Sequence, residues 1–283
     1  MIRESFAAIG NSARDLLKSP GTLGLLAVLY FLLLAAAYLF ISTGVGNIFQ
    51  LILTGFTVVL VPLLFFIVQA SAAAFGNGES SSLKVFSAGL KSFWKILLVS
   101  IPLIGLVVLT CYLLAKLQSY FGPPAASTPH YVMSHDPLHA TTTTPLRWFD
   151  VLLASIRLIV LGIVLPLVAI HYWLAITRIG LWASVKGTLR VVGQALSGRS
   201  VLIYSIGMVF FGLIPYFLVF TRTPVKNGWL ELIVFGLRIT LTFLFTLCGW
   251  LITVRALGSR PFEGEVAAPV VETPIHAEPA HAA

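Results

Sequence analysis

The chain has 283 residues, 58% of them hydrophobic and 10% charged, with a mean hydropathy of +0.97. Soluble domains carry about 25% charged residues, whereas no Asp, Glu, Lys or Arg occurs here from Ser19 to Gly78. A soluble fold cannot bury that much uninterrupted apolar chain, so the composition excludes soluble enzymes, disordered proteins and secreted disulfide scaffolds and specifies an integral membrane protein. The net charge of +8 does not indicate nucleic acid, because the cations stand singly or in loose clusters beside apolar spans.

Residues 1–20 form an N-terminal amphipathic segment, with Ile2–Lys18 as its helix. The apolar stretch that follows, Leu23–Ser42, is longer than the 7–15 residues of a signal-peptide core and reads as a retained first span. Thr43–Asn47 is a tight turn. Ile48–Phe75 is the second span, with Pro62 in its middle and Ala70, Ala72, Ala74 and Gly76 spaced for close helix packing, within the chain or between copies. Gly76–Ser82 is a turn leading to a serine N-cap.

In Ser82–Lys95 the residues Leu83, Phe86, Leu90, Phe93 and Trp94 follow helical spacing while Lys84, Lys91 and Lys95 lie elsewhere on the wheel. Ile96–Leu117 is the third span and Gln118–Arg147 a long irregular outer loop. Phe149–Thr177 is the fourth span, with Pro166, and Ala183–Leu196 a third amphipathic segment. Val201–Phe220 and Leu230–Leu257 complete a transmembrane domain over 21–258, and 259–283, rich in Ala, Pro and Glu, reads as a disordered tail. The amphipathic segments suit the inner leaflet, apolar side toward acyl chains and cations near headgroups. A cap packed on the bundle would show the same amphipathicity. The fold class is all-α, a polytopic bundle of six transmembrane helices with cytoplasmic interfacial helices.

Lys and Arg set the orientation. Twelve of them lie on the side that holds both termini and four on the other, while Arg157 and Arg238 fall within spans. Both termini are therefore expected in the cytoplasm, in a bacterial inner membrane. Trp94, Tyr120, Trp148, Trp182 and Trp229 lie near the expected span ends, as interfacial aromatics do. Cys111 and Cys248 lie in apolar spans without partner spacing and read as small buried hydrophobes.

Two internal similarities stand out. Spans two and three, joined by an amphipathic segment, parallel spans four and five, and Pro62 corresponds to Pro166. A proline removes a backbone donor and kinks a helix, and kinks at equivalent positions can frame a cavity, as in some carriers. Spans four and six share a second pattern. Each has Thr-Pro, a base, a Trp, an acid two residues on, and an arginine seven beyond the acid: Asp150 with Arg157, and Glu231 with Arg238. Seven residues is two turns, about 10 Å, so acid and arginine share a face without pairing directly.

Ionisable groups at membrane depth are costly, which makes Asp150, Arg157, Glu231 and Arg238 candidate ligand-binding residues. Guanidinium groups bind phosphate or carboxylate bidentately, so an anionic lipid or small anionic solute fits them. Snorkelling to the rim accounts for Arg157 equally well. His171 continues the Asp150–Arg157 stripe and is a candidate proton relay. His130, His135, Asp136 and His139 in the outer loop have the donor types for Zn²⁺, but lack a helical ligand spacing and are split by Pro137. No nucleotide, hydrolase or metalloprotease motif occurs and no cofactor is expected.

The six-span layout and the segment Ser82-Leu83-Lys84-Val85-Phe86-Ser87-Ala88-Gly89-Leu90-Lys91-Ser92-Phe93-Trp94-Lys95 resemble the bacterial glycerophosphodiester phosphodiesterase membrane-domain family and similar uncharacterised membrane proteins. That family's membrane part offers no catalytic residues to carry over, and its soluble phosphodiesterase barrel is absent from this sequence. The repeated acid–arginine pairs of spans four and six point to a non-enzymatic membrane protein that handles an anionic lipid or solute, or supports membrane assembly. A scaffold recruiting a partner through its tail, a secondary carrier, a metal-dependent membrane enzyme and a homo-oligomer stay open from the residues alone.

Overall fold

In the computed structural model, residues 2–44, 46–121, 148–221 and 228–259 are described. They form eleven α-helices, two of them followed by a π-helical turn. In order these are α1 (Ile2–Lys18), α2 (Pro20–Ser42), α3 (Ile48–Gly76), α4 (Ser82–Phe121) and α5 (Trp148–Ile159), then the turn Val160–Val164 and α6 (Leu165–Ile179). There follow α7 (Leu181–Lys186), α8 (Thr188–Ala195), α9 (Gly198–Met208), the turn Val209–Leu213, α10 (Ile214–Phe220) and α11 (Gly228–Gly258). Six helical stretches are long and apolar enough to cross a membrane, and their ends fall within three residues of the expected spans, apart from the third. There Ser82–Lys95 is not a separate interfacial helix: it runs without a break into the third span as one 40-residue helix. No glycine or proline occurs from Leu90 to Ile101, so nothing in the chain ends the helix at that junction.

The third amphipathic segment is divided in two. Gly180 at φ +88° turns the chain out of α6, and Gly187 separates α7 from α8. Ser197 then caps α9, its hydroxyl accepting from Ser200 N. At the start of α3, Asn47 does the same for Gln50 N at 2.9 Å.

Prolines shape the spans unequally. Pro62 and Pro102 sit inside continuous α-helix, whereas Pro166 and Pro215 each follow a π turn by one residue. The expected correspondence of Pro62 with Pro166 therefore gives way to a likeness between spans four and five. Pro166 has no N–H for the carbonyl of Gly162, four residues earlier. Tyr204 of α9 supplies the missing donor, its hydroxyl 3.1 Å from Gly162 O.

Burial is concentrated in the half of the bundle nearest the termini. Phe66–Gly76 apart from Gln69, most of Leu165–Ile176 and most of Leu247–Gly258 are buried, while the far halves of α3, α5, α10 and α11 expose their large apolar side chains. Small residues let backbones meet in the packed half. A Cβ on Gly258 would lie 2.4 Å from Gly76 O, and one on Gly89 would lie 2.2 Å from Ser71 Oγ. The Ala70–Gly76 stripe thus packs within the chain. Cys111 corrects the expectation of burial: it is exposed on the outward face of α4, and Cys248 is half-buried. Trp94, Tyr120, Trp148, Trp182 and Trp229 are all exposed.

Candidate functional site

Helix α1 belongs to both of the environments open to it. Ser5, Ser12 and Leu16 are buried against the bundle, and Ile2, Phe6 and Leu17 point away from it. The helix lies over the ends of α9 and α11. Beneath its inner face is a cavity of about 570 Å³, walled by α1, by the α3 end and the turn after it, and by the ends of α6, α9 and α11. Its charged lining is Glu4, Asp15, Arg178, Arg199 and Arg255.

Arg255, in the last turn of α11, ties three elements together. It donates to Phe75 O at 2.7 Å, where α3 ends, and to Asp15 Oδ2 of α1 at 3.1 Å. Its guanidinium also stacks 5.3 Å from the Phe75 ring, a cation–π contact. A cation at a helix C-terminus is favoured by the exposed carbonyls and the dipole. Gly78, at φ +111°, makes the turn that leaves Asn77 facing the cavity. The Asn77 amide donates to Leu174 O at 2.9 Å and to Thr177 Oγ1 at 2.6 Å, fixing its orientation.

Two buried atoms in this lining lack a partner among the described residues: the donor Arg199 Nε and the acceptor Asn77 Oδ1. A buried polar atom left unbonded costs about 1–3 kcal/mol. Both residues line the cavity, where Arg199 stands with Arg178 and Arg255 as a group of three cations beside Glu4 and Asp15.

The residues singled out from sequence are placed elsewhere. Asp150 lies in the first turn of α5, and Arg157 is exposed near the end of that helix. Glu231 is exposed in the first turn of α11. Arg238 donates through Nε to Leu218 O at 2.6 Å, and through Nη2 to Val219 O at 3.4 Å and to Thr221 O. It thus covers the carbonyls that end α10, one of the ways a helix C-terminus is satisfied in lipid. The helix of Arg157 packs along α4, and that of Arg238 along α10. The shared sequence pattern therefore serves two different surroundings.

His171 is buried at 4% exposure. Its Nδ1 lies 2.9 Å from Leu167 O; a carbonyl only accepts, so the proton is on Nδ1, and Nε2 faces the Ser200 hydroxyl at 3.4 Å. Ser200 in turn accepts from Ser197 at 3.0 Å. The ring ties α6 to α9 through a chain of hydrogen bonds that ends on a backbone carbonyl. His130, His135, Asp136 and His139 lie outside the described residues, as do most of the outer loop and the tail. Among the described residues no cluster of three or more His, Cys, Asp or Glu has the arrangement to hold a metal.

The Arg199–Asn77–Arg255 group escaped sequence reading because its members come from chain segments far apart, and each alone looks like a topology signal or a turn residue. The available signal was Asn77-Gly78, a polar turn closing a span whose last residues are all small or aromatic. No protein family, curated protein or solved structure matches this chain.

Proposed function

We propose that this six-helix membrane protein binds, without catalysis, an anionic phosphate- or carboxylate-bearing ligand in the cavity beneath α1. In this reading the basic end of the bundle faces the cytoplasm of a bacterial cell. The ligand is an anionic lipid headgroup or a small phosphorylated solute. The observation that carries the reading is the convergence of three arginines, Arg178, Arg199 and Arg255, from three helix ends on one cavity. Guanidinium is the group best matched to phosphate oxygens.

The exposed apolar side of α1, Ile2, Phe6 and Leu17, suits the acyl region of the adjacent leaflet, which would bring lipid headgroups to the rim of the cavity. The test uses the full chain in phosphatidylcholine nanodiscs. Glycerol 3-phosphate is titrated in one arm, and phosphatidylglycerol is added to the bilayer in the other, with thermal stability as the readout. A site occupied at 100 times its Kd adds about 2.7 kcal/mol. Stabilisation in one or both arms, abolished by Arg199→Gln, is the expected result and identifies the source of the anion. No stabilisation in either arm, or an equal response from Arg199→Gln, overturns the reading.

A further inference from the structure

The polar cavity beneath α1 has one chain segment that starts at its wall. Gly258, which ends α11, and Ser259 after it both line the cavity. The sequence that follows differs in charge from everything before it. Four of the chain's ten acidic residues, Glu263, Glu265, Glu272 and Glu278, lie beyond Arg260, where no Lys or Arg occurs. The first two carboxylates follow Ser259 by four and six residues. At no more than about 3.6 Å per residue, they reach up to about 14 and 22 Å from it. A sphere of 570 Å³ is about 10 Å across, so both carboxylates are within range of every part of the cavity.

The charges already in the cavity favour such an occupant. Arg178, Arg199 and Arg255 stand with Glu4 and Asp15, three cations against two carboxylates, and Asp15 is engaged by Arg255 at 3.1 Å. All three arginines are partly buried, where salt and water screen them less than at an open surface. Guanidinium takes a carboxylate bidentately. Tethering adds to this, because a group held by a short linker is present at its site at an effective concentration in the mM range.

We propose that the acidic segment Glu263–Glu278 docks in the polar cavity, with Glu263 and Glu265 on its arginines, and competes there with an external anion. This rests on the anion reading of the same cavity and adds its regulation: the chain carries its own competitor. A phosphomonoester brings a charge of about −1.5 to −2 at pH 7, against −1 for each carboxylate it displaces, so the exchange runs toward phosphate as its concentration rises.

The test uses the full chain in phosphatidylcholine nanodiscs, one copy per disc, in two measurements. In the first, glycerol 3-phosphate is titrated against the protein and against a variant with Glu263→Gln, Glu265→Gln, Glu272→Gln and Glu278→Gln, all outside the eleven helices. A tethered competitor at about 1 mM with a Kd near a tenth of that weakens an external anion roughly tenfold. The variant should therefore bind glycerol 3-phosphate about tenfold more tightly. In the second, Ala7→Cys on the α1 wall of the cavity is paired with Gly264→Cys, in a chain carrying Cys111→Ser and Cys248→Ser. Disulfide formation under mild oxidation should slow several-fold when Glu263→Gln and Glu265→Gln are added, and likewise with Arg199→Gln. The tail substitutions keep the measurement decisive if Arg199→Gln does not fold. A glycerol 3-phosphate response of equal affinity in both proteins, or a cross-linking rate indifferent to the tail acids, overturns the docking and leaves the anion reading standing. No glycerol 3-phosphate response in either protein, beside an acid-dependent cross-link, removes the anion reading and upholds the docking.

Discussion

The hydrogen bond from Tyr204 to Gly162 offers a quantitative test of how this bundle tolerates proline in a span. Pro166 withdraws the N–H that Gly162 O would receive in an unbroken helix, and the π turn at Val160–Val164 displaces the remaining bonds, Leu165 N reaching Val160 O. Tyr204, 3% exposed, donates to the orphaned carbonyl at 3.1 Å. Removing a partner from a buried acceptor costs about 1–3 kcal/mol in water-soluble proteins. Inter-helix side-chain bonds in membranes average about 0.6 kcal/mol with a maximum near 1.7. Tyr204→Phe should therefore destabilise by about 1 kcal/mol. In a Pro166→Ala background the new N–H can return to Gly162 O, so the hydroxyl matters less, and the double-mutant cycle should show a coupling of about 0.5–1 kcal/mol. Reversible unfolding by a denaturing detergent measures all four species. Equal losses from Tyr204→Phe in both backgrounds, within the ~0.3 kcal/mol expected of independent sites, would refute the account of the π turn.

The other expectations concern close backbone contacts and the two intramembrane arginines. A Cβ on Gly207 would stand 2.0 Å from Thr253 Oγ1, which itself donates to Gly249 O at 2.6 Å. Gly207→Ala should thus cost about 1–3 kcal/mol by overpacking, and Thr253→Ala should recover most of the loss in the same unfolding assay. Arg238→Ala should raise amide exchange through the last turn of α10 and lower stability by about 1–2 kcal/mol, whereas Arg157→Ala should leave both unchanged; matching effects would restore the symmetry of the sequence pattern. Gly258→Ala forces α11 from α3 at the floor of the polar cavity and should abolish the glycerol 3-phosphate response. Loss of helicity in the same sample would mean global unfolding instead.

Helix positions were legible because lipid imposes a single requirement, about 20 apolar residues with every backbone group satisfied. That requirement places the ends of α2, α3 and α11, and of the span from α9 to α10, without any knowledge of neighbours. It says nothing about where an amphipathic prelude stops, so the junction of Lys95 with Ile96 went unseen. It also does not tell one proline from another. Pro62 lies on an exposed face of α3, where a bend needs no internal partner, while Pro166 and Pro215 lie where π turns re-aim the chain into a packed core. The acid–arginine pattern of spans four and six was real as sequence but carried no information on neighbours. Arg238 found the end of α10, and Arg157 an outward face.

The polar cavity depends on one feature of the sequence, the concentration of small residues in one half of the bundle. Where Gly76 meets Gly258, Gly89 meets Ser71 and Gly207 meets Thr253, backbones are too close for side chains to rearrange. A wall that cannot relax leaves a mismatched polar atom mismatched. The three arginines gathered around the polar cavity are therefore held in place by a frame that does not yield, whereas in the loosely packed half a side chain can turn toward a neighbour or the interface. In the far half the exposed apolar surface is already suited to acyl chains and needs no protein partner. Tight packing thus sets the order of experiments: the Gly76–Gly258 contact in its wall has to be intact before the polar cavity can be judged by its ligand.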